Sequence, residues 1–281
     1  MMDNIAPSKK RRRATSTIMT ALTALCAFIA VGILLVILGY IAYRGLTSIN
    51  LQFLIDTPRP VGEGGGIGNA ITGTFVLLLL ACVFGLPVGI AAGIYLAEFG
   101  DNWFGHVVRF VTDTLTGVPS IVVGVFVYTL IVLPQKHFST LAGGVALALI
   151  MIPIVTRTTE EMIRLVPTSL REGALALGAP QWRVTTGVVL PAAASGIATG
   201  VMLAIARVSG ETAPLLFTAF GSRFFNWYLD QPMASLTVQI YNYAISPYDE
   251  WHAQAWAATL VLMTLILLIN VTVRFFTRKR F

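Results

Sequence analysis

Six long apolar segments constrain the fold of this chain more than any other feature of its sequence. A helix needs about 20 apolar residues to cross a hydrocarbon core about 30 Å thick, and six segments reach that length: Ile18–Tyr43, Ala70–Ala97, Val107–Leu133, Leu141–Ile163, Pro191–Ala219 and Ala255–Val273. They are uniformly apolar and do not alternate like the strands of a membrane barrel. Since 56% of all residues are hydrophobic and only 11% are charged, the sequence predicts an all-α integral membrane protein with six transmembrane helices.

Basic residues predict how these helices are oriented, because Lys and Arg concentrate in cytoplasmic loops. The basic run Lys9–Arg13 precedes the first apolar segment and fixes the N-terminus inside. With six spans, the basic residues of the outer loops are Arg44, Arg59, Lys136 and Arg223, and the others, apart from Arg207 within the membrane, fall on the cytoplasmic side. Both termini are therefore expected in the cytoplasm, and the net charge of +6 requires no nucleic-acid partner.

Motifs of several catalytic classes are missing from the sequence. A P-loop needs a lysine after a glycine, and no lysine of this chain follows one. The glycine-rich outer loop Gly62–Asn69 does not match G-x-G-x-x-G, and we interpret it as flexible. Cys26 and Cys82 lie alone in separate apolar segments, which excludes metal-ligand spacing and indicates small packing residues. We therefore predict no catalytic residue and no metal site on this chain.

The cytoplasmic segment between the fourth and fifth apolar segments, Arg164–Pro191, carries signals for two short helices. Pro167 interrupts the preceding helix, and Ser169 with Glu172 has the spacing of a capping box that starts another. Gly178 would end this helix. Its apolar stripe is narrow and consists of Leu170, Ala174 and Leu177. Such a helix pair could lie on the lipid surface, but the small residues of the stripe favour a groove on another protein.

The same segment resembles the EAA loop of ABC-importer permeases, E-A-A-x3-G-x9-I-x-L-P. The match runs through Glu172, Gly173, Ala174 and Gly178 to Val188–Pro191, with glycine in the second position and valine in place of isoleucine. The resemblance implies a type I (MetI-like) permease fold and a loop that inserts into a separate ATPase subunit. It assigns ATPase coupling to the first four of these residues. It also implies that ATP and Mg are bound by that partner and that this chain is not itself an enzyme.

Further segments resemble the phosphate-uptake members of that family, in matching order: Glu63–Thr74, Leu86–Gly100, Gly117–Tyr128, Ile152–Met162, Leu203–Ala219 and Ile245–Ala257. The resemblance implies import of inorganic phosphate across a bacterial plasma (inner) membrane. The implied partners are a sister permease, an ATPase dimer and an extracytoplasmic phosphate-binding protein. The expected regions are a basic tail over residues 1–17, a first span with its outer loop over 18–69, a permease core over 70–273 with the coupling loop at 164–191, and a second basic tail over 274–281.

Alternatives remain open at this stage. A permease for another oxyanion, such as sulfate or molybdate, would share most of these features. A secondary anion transporter is a weaker alternative, because its usual internal duplication is not evident between the two halves of the chain. The outer segment Gly221–Gln254, the longest outer loop and rich in Trp, Tyr and Pro, is a hypothesis for contact with the binding protein.

Arg207 and Glu211 are unusual because they lie within the fifth apolar segment. An arginine deep in the membrane costs about 2.5–3.5 kcal/mol on insertion scales, so it should face a polar path or a partner. The two residues are four apart and therefore share one helix face. They could simply form an ion pair that makes both charges tolerable. We favour a substrate pathway, in which the planar guanidinium of Arg207 grips two phosphate oxygens and Glu211 prevents the ion from being trapped.

Two hydroxyls complete the predicted substrate pathway. Gly210 and Pro214 can loosen the helix, so that the Thr212 hydroxyl turns toward a cavity. Ser120 follows Pro119 in the third apolar segment and is a weaker candidate. For Ser120, a hydroxyl bonded back to its own helix is the competing interpretation.

Overall fold

The computed structural model describes residues 6–278 of the chain. Apart from one isolated β-bridge between Pro58 and Gly65, its regular structure over these residues is helical. The helices are α1 (Ala6–Leu46), α2 (Leu51–Ile55), α3 (Gly68–Glu98), α4 (Trp103–Gly117), α5 (Ser120–Val127), α6 (Leu133–Gln135), α7 (Thr140–Arg164), α8 (Thr168–Ala176), α9 (Gln181–Val184), α10 (Leu190–Ser209), α11 (Ala213–Thr218), α12 (Leu236–Ala244) and α13 (Asp249–Arg278). The predicted tails lie partly outside the described residues, at 1–5 and 279–281.

The described helices are those of a multi-pass membrane protein. Five of them are long and apolar enough to cross a membrane: α1, α3, α7, the continuous run from α9 through α10, and α13. A sixth crossing is available if the bent pair formed by α4 and the α5–α6 run counts as one span. The predicted all-α membrane fold is therefore confirmed, although two of the predicted spans are not single helices over the predicted ranges.

The third predicted span, Val107–Leu133, is wrong as a continuous helix. The structure breaks it after α4, and the chain bends by 105° before α5 begins at Ser120. The cause is Pro119, which has no N–H to donate and disfavours helical backbone in the residue before it. Val118 accordingly adopts φ −70° and ψ 130°.

The fifth predicted span, Pro191–Ala219, is also displaced. The observed helix runs from Gln181 to Ser209, and α11 is separate from it. Pro191 does not start the helix because a π-helical turn, Thr185–Val189, precedes it and joins α9 to α10. The wider turn accommodates a ring that would clash with the carbonyl four residues earlier. The same arrangement recurs at Tyr128–Val132, which precedes Pro134.

Close packing of α3 against α7 forms the centre of the protein. Gly85, Gly89 and Gly93 recur every fourth residue of α3, and each faces α7. A Cβ atom at Gly89 would lie 2.8 Å from that of Val155, and one at Gly93 would lie 2.5 Å from that of Thr159. The glycines therefore let the two backbones approach closely, as small residues do between membrane helices. This rigid pair positions the helices that carry the candidate site.

The first helix is peripheral. It begins at Ala6, before the predicted start of the first span, and most of its apolar side chains are exposed. It contacts α13 near its C-terminal end, where Gly45 meets Leu260 and the ring of Tyr40 meets that of Trp256 edge-on at 5.2 Å. Cys26 is exposed on this helix, so the predicted packing role does not apply to it within the chain.

Candidate functional site

The centre of the candidate site is an ion pair at the end of α10. The Arg207 guanidinium donates through Nη1 to Oε1 of Glu211, four residues later. Arg207 occupies the last turn of the helix, where the negative end of the helix dipole also favours a cation. The two partners differ in exposure, because the Glu211 side chain is 6% exposed and that of Arg207 is 59% exposed. The carboxylate is therefore buried and the guanidinium is presented outward.

A break in the helix places Glu211 where it is. Helical structure stops at Ser209 and resumes at Ala213, and Pro214 near the start of α11 has no N–H to continue the hydrogen-bond ladder. The Glu211 carbonyl, freed from the helix, accepts a hydrogen bond of 2.9 Å from the Thr237 hydroxyl of α12. The break is thus held in place by a hydrogen bond from α12.

The exposed side of Arg207 faces a cavity of about 310 Å³. Its walls are mostly apolar and come from α4, α5 and α7, including Val122, Phe126 and Ile150. Ser120 and Thr116 add hydroxyls to the same cavity, on the two sides of the bend at Pro119. Apolar walls beside the guanidinium screen its charge less than bulk water would, which strengthens its attraction for anions on that side.

The cavity brings together some of the predicted pathway residues and leaves out others. Arg207 and Ser120 both line it, and Glu211 joins it through the ion pair. Thr212 does not line it and instead starts α11, where its carbonyl accepts from Leu215 and Leu216. Thr116 was not anticipated, because one threonine in an apolar helix carries no distinguishing sequence signal. Its hydroxyl donates to its own helix, to the Thr112 carbonyl at 3.0 Å.

The cytoplasmic segment forms helix α8, a turn and helix α9. The predicted capping box is wrong, because α8 begins at Thr168 with Pro167 in the N-cap position and no side-chain cap bond. Gly178 ends this region as predicted, with φ +79°, a backbone conformation that favours glycine. Glu172 and Gly173 are exposed on α8.

One side of α8 packs against the protein, whereas apolar side chains in the turn and the short helix that follow it are exposed to solvent. Ala174 packs against a cluster of buried residues that includes Ile163 and Val184. In contrast, Leu177 is 90% exposed and Trp182 is 61% exposed. Most of the surface of both side chains is therefore open to contact with another molecule.

A second ion pair fastens this cytoplasmic segment to the membrane helices. Arg171 of α8 donates through Nη1 to Glu98 at the end of α3, and through Nη2 to the Ile163 carbonyl of α7 at 2.9 Å. The other Glu98 oxygen accepts from the Thr185 hydroxyl at 3.1 Å. The Glu98 side chain is only 4% exposed. Elements α3, α7, α8 and the π-helical turn therefore meet at one buried carboxylate.

Beside it, a cluster of arginines surrounds another carboxylate. Glu160 of α7 accepts from Arg109 at 2.8 Å, and Arg164 lies 3.1 Å from it. Arg109 also donates to the carbonyls of Leu96 and Gly100 at the end of α3. These bonds tie α3, α4 and α7 together. No group of three or more potential metal ligands exists among residues 6–278.

Comparisons with known proteins agree with this architecture. A family model described as binding-protein-dependent transport system inner membrane component matches residues 89–281. The chain is 49% identical over 239 residues to the phosphate transport system permease protein PstA of Yersinia pestis, covering 84% of this chain and 81% of that one. It is 46% identical over 267 residues to the protein of the same name from Xylella fastidiosa strain Temecula1, covering 94% and 93%.

Solved structures share the fold. The chain resembles an inward-facing MetNI methionine ABC transporter with a TM-score of 0.60 and 20% identity, covering 77% of this chain and 94% of that one. It also resembles a bacterial alginate ABC transporter with a TM-score of 0.63 and 13% identity, covering 96% of both chains. At this identity the likeness supports the fold alone.

Proposed function

The chain belongs to the family of inner-membrane components of binding-protein-dependent transport systems, and on this basis we propose that it conducts inorganic phosphate as a permease subunit of an ATP-driven importer. Close relatives over most of its length carry the name phosphate permease. The chain is a non-catalytic membrane subunit of an ABC transporter, in which ATP hydrolysis and substrate capture belong to other subunits.

The observation that supports phosphate most directly is the exposed guanidinium of Arg207 in an apolar cavity. A planar guanidinium can bind two oxygens of a tetrahedral oxyanion at once. The buried carboxylate of Glu211 offsets part of the positive charge, so the anion can leave again. Ser120 supplies a further donor at the cavity wall.

The partners follow from the surfaces of the chain. We propose that the loop with Glu172, Gly173, Ala174 and Gly178 docks on a PstB-like ATPase dimer, with the exposed side chain of Leu177 entering its surface. A PstC-like sister permease would complete the pathway around Arg207, and a PstS-like protein would deliver phosphate to the outer segment at residues 221–254. The location that fits these roles is the plasma (inner) membrane of a bacterium.

The test is uptake of radiolabelled phosphate by cells that lack their own phosphate permease and express this chain with its neighbouring subunits. We expect uptake that unlabelled phosphate suppresses and that an excess of sulfate or molybdate leaves unchanged. Preferential competition by sulfate or molybdate would instead assign the chain to another oxyanion. Co-purification of an ATPase and a binding protein with the chain tests the assembly separately.

A further inference from the structure

A second cavity, about as large as the one at Arg207, lies on the outer side of the protein. Its volume is about 310 Å³. It is bounded by the loop after α2, the connection between α11 and α12, helix α12 itself, and the first turn of α13. The polar side chains on its walls include Arg59, Arg223, Gln239, Asn242, Tyr243 and Trp251. Most of these walls belong to the segment 221–254, to which the function proposed above assigns delivery of phosphate, but that function gives the cavity itself, which we call the outer cavity, no role.

The outer cavity has an excess of positive charge. Two arginines line it, and no Asp or Glu does. Arg59 is neutralised by Asp56, whose carboxylate lies 2.9 Å from its guanidinium. Arg223 has no ion pair and no hydrogen bond to any residue within 6–278. The donors of one guanidinium are therefore available to a ligand.

Further donors without acceptors stand at the wall of the cavity. The Trp251 Nε1 group is buried and has no hydrogen-bond acceptor, and the buried Tyr243 hydroxyl has no acceptor for its proton. The Gln239 side chain is positioned to donate to the Tyr243 oxygen, and the charges of Arg223 and Glu250 act on Tyr243 in opposite directions. Burial raises the pKa of Tyr243, so its hydroxyl stays protonated at neutral pH. Buried donors without partners are costly and rare, and an anionic ligand would supply their acceptors.

The cavity wall that carries Arg223 is held in place. The Ser222 carbonyl accepts a hydrogen bond of 2.6 Å from the Asn69 side chain at the start of α3. Two residues with positive φ, Phe220 at +61° and Gly221 at +140°, shape the turn before it. The ring of Phe220 stacks on that of Phe138 at 4.7 Å. Arg223 is therefore presented by an ordered turn that is built into the fold.

The outer cavity is also close to the Arg207 site. Leu216 of α11 lines it, and α11 starts directly after the break that contains Glu211. A helix of six residues is about 9 Å long, so the two sites lie near opposite ends of one short helix. Ser235 lines the outer cavity, and the neighbouring Thr237 holds the Glu211 carbonyl at 2.9 Å.

We propose that the outer cavity is a second oxyanion site, in which Arg223 receives phosphate before it reaches Arg207. This proposal rests on the proposed phosphate transport function and adds to it a binding site that phosphate occupies before it reaches Arg207. The site is rich in donors, carries one unpaired cation and is large enough for a tetrahedral oxyanion. An acidic surface of the binding protein is the competing occupant of the same arginine, and the test separates the two.

The test uses the purified transporter complex with Cys26 and Cys82 replaced by serine. Asn242→Cys, a substitution at an exposed position of the cavity wall, provides the thiol that is labelled with a negatively charged methanethiosulfonate. At constant ionic strength, inorganic phosphate alone should slow this labelling about tenfold, the size expected when a charged hydrogen bond is formed. Arg223→Gln should abolish the protection. Arg44→Gln removes the same charge from the outer side away from the cavity and should leave protection intact.

Three results would overturn the proposal: no protection by phosphate in the complex with Arg223 intact, undiminished protection in Arg223→Gln, or protection that appears only when binding protein is added. The last result would assign Arg223 to protein docking. Phosphate uptake by the same cysteine-substituted complex is measured in parallel. Normal uptake without protection rejects the outer site alone, whereas absent uptake in the complex with both arginines intact rejects the proposed transport function.

Discussion

Two ion pairs in this protein each join an arginine to a buried glutamate, but they differ in how many hydrogen bonds the guanidinium forms with the rest of the protein. In the membrane pair, Arg207 and Glu211, the guanidinium has one ion-pair partner within the described residues, and the arginine side chain is 59% exposed. In the cytoplasmic pair, Arg171 and Glu98, the guanidinium also donates to a backbone carbonyl, and the arginine side chain is 23% exposed. The carboxylate is buried in both.

This difference distinguishes a structural ion pair, Arg171 with Glu98, from an arginine that can bind a ligand, Arg207. The cytoplasmic pair joins four elements, and its hydrogen-bonding capacity is largely occupied by the protein itself. The membrane pair joins residues of the same segment and leaves guanidinium donors facing a cavity. Removing both charges should therefore have opposite consequences at the two places.

The largest effect is expected at Arg207. Arg207→Gln should reduce phosphate uptake about 100-fold, because charged hydrogen bonds contribute about 1.5–3 kcal/mol each and the buried Glu211 charge is left unpaired as well. Arg207→Lys should recover only part of the activity, since an ammonium keeps the charge but lacks the two-pronged geometry. Initial rates of radiolabelled phosphate uptake measure this, with the amount of complex in the membrane quantified for each variant.

The double variant Arg207→Gln with Glu211→Gln decides between the two interpretations of the membrane pair. If the arginine only neutralises Glu211, removal of both charges should restore transport. If phosphate requires the cation, the double variant should stay inactive. Robust uptake by the double variant would reduce Arg207 to the same structural role as Arg171.

A smaller and reversible effect is expected at the cytoplasmic pair. Arg171→Met should destabilise the joint by about 3 kcal/mol, because it leaves the buried Glu98 carboxylate uncompensated. ATP hydrolysis should then continue with less phosphate transported per ATP. Adding Glu98→Gln should restore most of the coupling, since replacing a whole buried pair costs little. The ratio of uptake to ATP hydrolysis in proteoliposomes measures both variants.

If the double variant Arg171→Met with Glu98→Gln does not regain coupling, this carboxylate has a function other than holding the helices together. The comparison between the two pairs would then lose its basis. Thermal unfolding of the purified complex provides the control, because a purely structural joint should lose and regain stability in parallel with coupling.

The sequence reveals these two pairs to very different degrees. Arg207 and Glu211 are four residues apart in an apolar segment, so their contact follows from helix geometry. Arg171 and Glu98 are separated by 73 positions, and no local pattern connects them. Glu98 stands at the end of a span, where an acidic residue is ordinary. Only the packing of α3 against α7 and α8 brings the two together.

Prolines explain the errors in the predicted spans. Hydropathy correctly located the apolar segments. It did not detect the bend at Pro119, because the average hydropathy stays high on both sides of this proline and carries no information on backbone geometry. The bend there, and the π-helical turn before Pro191, depend on how the missing N–H is accommodated. The bend also brings Ser120 to the wall of the cavity that Arg207 lines. Some residues of the site, including Arg207 and Ser120, could therefore be predicted from the sequence, whereas the cavity that they line could not.

An intermediate effect is expected at Gly178, whose φ of +79° is unfavourable for residues with a side chain. Gly178→Val should strain the turn by about 1–2 kcal/mol and lower the uptake-to-hydrolysis ratio several-fold, because it redirects the exposed side chain of Leu177. Nothing lies within 4 Å of an added Cβ atom, so backbone conformation and not a clash within the chain is the cause.

Gly173→Ala is the matched control for Gly178. Gly173 lies inside α8, and a Cβ atom there also meets nothing within 4 Å. Alanine should strengthen the helix by up to about 1 kcal/mol and preserve coupling. Loss of coupling in Gly173→Ala would place the ATPase contact on α8 itself, and unchanged coupling in Gly178→Val would remove the turn from the coupling surface.

The smallest effect is expected at Ser120, which shares the cavity with Arg207. A hydroxyl bonded back to its own helix was the competing interpretation, but within residues 6–278 the Ser120 side chain forms no hydrogen bond. A neutral hydrogen bond contributes about 0.5–1.5 kcal/mol, so Ser120→Ala should raise the phosphate KM about threefold and leave the maximal rate nearly unchanged. Ser120→Thr keeps the hydroxyl and should retain more of the affinity. If both variants transport like the wild type, the hydroxyl does not touch phosphate, and the binding role within this cavity falls to Arg207 and groups of the partner subunit.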